Sequence, residues 1–128
     1  MSKKDKTIKY NHSEISLNKE GHILINVFEN AEIDVKEIEE INKGKELLAK
    51  NKPYKILFVT PNLGNITMEA IKFAASDKVY KNAIAKAVVA NSLSSRLLSS
   101  FFITAIKPPA PTKLFKSIGD AEMWLNSI

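Results

Sequence analysis

Between Ala83 and Ile128 the chain alternates twice between a strand-like and a helix-like run, and few architectures other than a βα-layered one accommodate that order. Ile84-Ala-Lys-Ala-Val-Val-Ala90 reads as a strand, and Ser92 to Ile106 as a helix. Lys107-Pro-Pro-Ala-Pro111 removes backbone donors and stops that helix. Thr112-Lys-Leu-Phe-Lys116 is a second, short strand. A closing helix begins at Ser117, with Asp120 three residues later as a capping pair. Ala121, Trp124, Leu125 and Ile128 then recur at helical spacing, a core-facing stripe in which Trp124 is a packing anchor.

The upstream residues continue the same alternation. Glu14-Ile-Ser-Leu17 and His22-Ile-Leu-Ile-Asn-Val-Phe28 flank Asn18-Lys-Glu-Gly21, the signature of a hairpin. A helix is expected from Asp34 to Lys50, with Val35, Ile38, Ile41, Leu48 and Ala49 on one side. Glu32, Asp34 and Glu37 near its start and Lys50 and Lys52 near its end complement its dipole. Lys55-Ile-Leu-Phe-Val-Thr60 is apolar enough to be buried on both faces of a parallel sheet. Pro61 to Asn65 is its loop, and Thr67 can cap a helix through Met68, Ile71 and Ala75. The expected fold is a single α/β domain: a mixed sheet with parallel central strands, an N-terminal β-hairpin and about four helices. Residues 1–13 are expected to form a flexible, lysine-rich segment, in which Thr7 to Tyr10 could add an edge strand, and residues 14–128 the domain.

At 128 residues and 45% hydrophobic content the chain can bury a real core. It has no cysteine, which excludes disulfides, thiolate nucleophiles and cysteine zinc sites. No secretory signal follows Met1 and no apolar run is long enough to span a membrane, so a cytoplasmic location is expected. Residues 1–13 carry a net charge of +3, leaving +2 of the chain's +5 for the rest. All the basic residues but Arg96 are lysines, beside 15 isoleucines and 11 asparagines, as in an A- and T-rich coding sequence. Arginine forks for reading phosphates and base edges are missing, which argues against a nucleic-acid partner.

Residues able to carry chemistry are few. The two histidines, His12 and His22, sit beside no nucleophile motif, and HExxH, GxSxG and a glycine-rich phosphate loop are all absent. No catalytic, metal or cofactor site is expected, and the chain reads as a non-enzyme. The prolines of Pro108-Pro-Ala-Pro111 have a PxxP spacing, but stopping one helix and restricting a loop accounts for them. The helix from Ser92 to Ile106 is the candidate interaction element. Leu93, Leu97, Leu98, Phe101, Phe102 and Ala105 cover one half of it, and Ser92, Ser95, Arg96, Ser99 and Ser100 the other. Ile103 falls in the polar half. On an exposed polar side, these hydroxyls, the lone arginine and one apolar residue could receive a partner closely.

Ile56-Leu-Phe-Val59, Ile66-Thr-Met-Glu-Ala-Ile71, Ala87-Val-Val-Ala90, Ser92-Leu-Ser-Ser-Arg96 and the run from Pro108 to Phe115 give the chain its likeness to a known family. Over residues 14–128 it resembles the STAS domain of anti-sigma-factor antagonists, and more narrowly a bacterial branch of small, uncharacterised STAS-like proteins. The resemblance implies a regulatory module that binds another protein, or itself as a homodimer. Antagonist members switch partners on phosphorylation of a serine at the start of the helix after the second central strand. In the matching segment Thr67 takes the acidic position, Met68 replaces the serine and Ala70 the glycine, so the usual switch is expected to be missing. Thr67 is the alternative acceptor. STAS-like and Sec14-like relatives imply a different class of function, a small apolar ligand or lipid held between sheet and helices, under Phe101, Phe102 and Met68.

Overall fold

Two strands with apolar residues on both faces, β4 (Tyr54–Thr60) and β5 (Ala83–Ala90), lie parallel at the centre of the sheet. The computed structural model describes residues 7–61, 65–90 and 92–128. Ahead of the central pair come β1 (Thr7–Lys9), β2 (Ser13–Leu17), β3 (Ile23–Val27) and α1 (Val35–Ala49). Helix α2 (Met68–Ala74) joins the pair, and α3 (Leu93–Ile106), β6 (Thr112–Phe115) and α4 (Ile118–Asn126) follow it. The strands are ordered β1-β2-β3-β4-β5-β6; the first three are antiparallel, and β3 to β6 run parallel. The expected α/β domain is therefore the observed one: a mixed six-stranded sheet with parallel central strands and four helices. No helix among the described residues is long and apolar enough to cross a membrane.

This strand order decides the layering. Each parallel strand is added on the same side of the previous one, and right-handed crossovers then put every connecting helix on one face. That face carries Ile23, Ile25, Ile56, Phe58 and Val88 against Ile38 and Ile41 of α1, Ala70 of α2 and Phe102 of α3. The opposite face carries Leu57, Ala85, Ala87 and Val89 against Ala121 and Leu125 of α4.

Local chemistry terminates these elements where the sequence leads one to expect. Asp34 and Glu37 form a capping box on α1, and Lys50 ends it in the left-handed conformation at φ 55°. Thr67 caps α2 by accepting from the Ala70 amide at 3.0 Å, and Ser117 caps α4 by accepting from Asp120. The Thr67 hydroxyl also donates to Asp34 Oδ1 at 2.8 Å, tying the starts of α1 and α2 together. In the hairpin loop Gly21 takes φ +85°, which a side chain would oppose. Gly44 serves another purpose: a Cβ there would lie 2.8 Å from Ile15 Cδ1, so its absence lets α1 settle on β2. Ile128, expected on the core stripe of α4, is exposed. It lies beyond the last helical turn, where Lys55 Nζ donates to the main-chain oxygens of Leu125 and Ile128.

The loose segment expected up to residue 13 is corrected from Thr7 onward; residues 1–6 lie outside the described residues. Thr7 to Lys9 pairs antiparallel with Glu14 to Ser16, which realises the edge strand, and Ser13 already belongs to β2. His12 is buried: its Nε2 bonds Glu40 Oε1 at 2.7 Å, its Nδ1 bonds Ser13 Oγ at 2.9 Å, and its ring stacks on Tyr10. Tyr10 also donates to the Glu40 carbonyl at 2.9 Å. These bonds hold the edge of the sheet to α1.

One core position defies polarity. Lys45 on α1 is only 2% exposed, its Nζ donating to the Val79 carbonyl at 3.1 Å and lying 5.6 Å from the Tyr54 ring centre. Burial, and after it the like charge of Lys86, lowers its pKa from 10.5 to about 7; Glu46 opposes the shift. Between those values the unfolded chain keeps a proton that the folded chain has released, so this group makes stability rise with pH. Lys45→Met is expected to unfold in urea with about 2 kcal/mol more stability than wild type at pH 7. The difference should shrink by about pH 9.5, where the folded lysine is neutral. A variant less stable at pH 7 would mean that the bond to Val79 outweighs the cost of burial.

Candidate ligand cavity

Alternation along β5 sends Ala85, Ala87 and Val89 toward α4 and Lys86 and Val88 toward the other helical layer. There, between the sheet, α2 and α3, lies a cavity of about 90 Å³. Phe58 and Val88 form its floor, Ile71, Ala74 and Ala75 one wall, and Ser99, Phe102, Ile103 and Ile106 the other. Half-buried residues on both helices border it, so it reaches the surface between them.

The polar groups in this apolar space are few and distinctive. Lys86 Nζ sits 4.9 Å from the centre of the Phe58 ring and 5.7 Å from that of Tyr80, in cation–π range of both. Burial lowers its pKa to about 8. Burial likewise pushes Tyr80 up to about 12, against a hydrogen bond of 2.9 Å between its hydroxyl and Thr112 Oγ1. Ser99 is 5% exposed, and its hydroxyl meets no hydrogen-bond partner among the described residues. An amine, an unpaired hydroxyl and a closed Tyr–Thr pair thus edge a space that is otherwise hydrocarbon.

The expected contact surface on α3 is corrected by the way this helix is turned. Ser95 and Ser99 are buried at 2% and 5% exposure, whereas Leu93 and Leu97 are each 64% exposed and Leu98 is 40% exposed. Phe58, Tyr80 and Lys86 already fill the layer under the helix, so small side chains face them and Phe102 alone of the described large residues inserts from the apolar half. Of the six residues expected to share an exposed face, only Ser92 and Ser100 are exposed. Ser92 is the N-cap, accepting from the Ser95 amide; Arg96 is half-buried, and Ile103 lines the cavity. Under the sequence reading Phe101, Phe102 and Met68 would lie over a ligand. Phe102 does line the cavity, Met68 is 45% exposed and takes no part in its lining, and the Phe101 side chain lies outside the described residues. Thr67 is exposed, its hydroxyl engaged with Asp34 and the Ala70 amide.

Lys86 and Tyr80 were not legible as site residues, although a lysine amid alanines and valines on a doubly buried strand is a visible signal. Elsewhere, Glu46 accepts from the Tyr54 hydroxyl at 2.8 Å and from Asn82 at 2.7 Å, a network that holds α1 to the central strands. Glu40, His12 and Ser13 form a hydrogen-bonded chain of the residue types used in nucleophilic catalysis. Ser13 is wholly buried, and none of the three lines the cavity under α3; their bonds join β2 to α1. His22 is buried, its Nδ1 meeting no partner among the described residues, and burial followed by Lys55 lowers its pKa. No group of three or more histidines and carboxylates among the described residues could hold a metal ion.

The unpaired hydroxyl has a measurable consequence. Ser99→Ala removes a desolvated polar atom at little cost in packing and is expected to be as stable as wild type or up to about 1 kcal/mol more stable. Calorimetry would then show a melting temperature raised by up to about 4 °C. A loss of more than about 1 kcal/mol would show that the hydroxyl has a partner in solution.

No curated protein and no solved structure matches this chain at a significant level. A family described as a domain of unknown function, DUF7793, matches residues 15–128. That match spans nearly the whole fold, from β2 to α4, and the chain belongs to the DUF7793 family.

Proposed function

We propose that this domain is a non-enzymatic, cytoplasmic binding module whose cavity under α3 takes a small, largely apolar molecule. The observation that carries this reading is the cavity itself: about 90 Å³ of mostly hydrocarbon-lined space, continuous with the surface between α2 and α3. A well-packed interior leaves few voids larger than a water, and a void with apolar walls gains by taking up an apolar guest. A relationship to STAS-like domains forms part of the proposal at the level of fold. It is supported by the βα order and the parallel central strands, and fold by itself assigns no ligand.

Xenon is a suitable probe, because it enters apolar cavities without needing a polar partner. In xenon-saturated buffer the amide resonances of Ile71, Ser99, Phe102 and Ile103 are expected to shift saturably. Ala74→Phe, which fills the space, should abolish those shifts while the protein remains folded. Unchanged spectra of wild type would overturn the cavity as a binding site.

A second reading is favoured by the outer side of α3. Leu93, Leu97 and Leu98 lie there beside Ser100, Thr104 and Ala105, all exposed and all uncharged. An uncharged apolar stripe is self-complementary about a two-fold axis, whereas the rest of a chain with net charge +5 repels its copy. We propose a homodimer across this stripe as the regulatory contact. Sedimentation velocity should show concentration-dependent dimerisation that Leu97→Glu eliminates. A wild type that is monomeric at the highest attainable concentration would refute it.

A further inference from the structure

We infer that the ligand of the cavity is a short-chain carboxylate, its head held by the Lys86 ammonium and the Ser99 hydroxyl and its chain lying among Phe58, Ile71, Phe102 and Ile103. This rests on the cavity being a binding site, the reading proposed above, and adds the chemical class of what enters it.

Charge makes the first part of the case. The Lys86 ammonium faces two aromatic rings, and no carboxylate among the described residues lies within ion-pair distance of it. With a pKa of about 8 it is still mainly protonated at pH 7, and its charge reaches Lys45, whose pKa it helps to lower. Lys86 is half-buried, so its ammonium has lost part of its hydration without gaining a counter-ion among the described residues, and an anion in the adjoining space offsets that cost. Ser99 supplies what a second carboxylate oxygen needs, a hydroxyl donor that no described residue engages.

Donor number and volume narrow the class. Among the described residues the cavity offers one free ammonium and one free hydroxyl, since Tyr80 and Thr112 are bonded to each other. Two donors suit the two oxygens of a monoanionic carboxylate; a phosphate dianion would leave oxygens unsatisfied in an apolar space. An apolar cavity of about 150 Å³ holds a six-carbon ring, so 90 Å³ holds a chain of about three to five carbons. Butyrate has the right size and charge. A longer chain such as octanoate would have to run out between α2 and α3 into solvent.

Titration of the full chain with butyrate and with its neutral isostere butyramide, followed by amide resonances, tests the inference. Butyrate is expected to shift Lys86, Ser99 and Phe102 saturably, and to bind at least about tenfold more tightly than butyramide. Lys86→Met should remove that preference by weakening butyrate about tenfold or more while leaving butyramide unchanged. Inorganic phosphate should produce no saturable shift at these residues. Butyramide binding wild type as tightly as butyrate, or phosphate binding more tightly, would overturn the carboxylate and leave the cavity as a site. Saturable binding by neither butyrate nor butyramide would overturn both. The comparison of the two ligands on wild type decides the matter even where Lys86→Met does not fold.

Discussion

The parallel register of β4 with β5, running from Tyr54 opposite Ala83 to Thr60 opposite Ala90, is the contact on which the rest of the molecule depends. Both strands present apolar residues on both faces, so neither face can be left to water and each needs a helical layer. Right-handed connections commit α1, α2 and α3 to one face. The other face is left to whatever follows the last strand, and α4 fills it with Ala121 and Leu125. The antiparallel strands β1 to β3 extend the sheet on one side, and Gly44 and the His12–Glu40 bond close α1 onto them.

The cavity is a consequence of the same alternation. Once Ala85, Ala87 and Val89 face α4, Lys86 must enter the layer beneath α3, because successive side chains on a strand point to opposite faces. A long amine and two aromatic rings, Phe58 and Tyr80, then occupy part of that layer. The helix above presents serines there, and the shapes do not mesh completely. Lys45 in the core and the half-buried Lys86 beside it are difficult to account for by folding stability alone, since aliphatic side chains would fill the same volume without desolvating a charge. Lys45 has the Val79 carbonyl as partner, whereas among the described residues Lys86 meets ring faces, which makes it the natural point of recognition.

Much of the scaffold was legible in the residues because it depends on neighbours a few positions apart. Asp34, Thr67 and Ser117 mark helix starts through bonds to amides one to three residues ahead, and Gly21 marks the hairpin through its own backbone freedom. The edge strand at Thr7 was only an option in the sequence, since its pairing with β2 is sealed by Glu40, remote from it in the chain. The side of α3 that faces inward was misread for a related reason. Polarity alone placed leucines inside and serines outside, but the helix is seated by what lies under it, and Ser95 and Ser99 fit over Phe58, Tyr80 and Lys86 where leucines would not.

By itself, then, the sequence determined the α/β class, the order of strands and helices and most of their capped ends, because periodicity and capping are local properties of the chain. Only the tertiary structure decided the rotation of α3, the burial of Lys45 and the meeting of Lys86, Tyr80, Ser99 and Thr112 around one space. Those residues come from three different elements and the turn before β5, and their approach is set by the volumes that must share a layer. Packing of that kind is a property of the assembled layers, and no window of consecutive residues contains it.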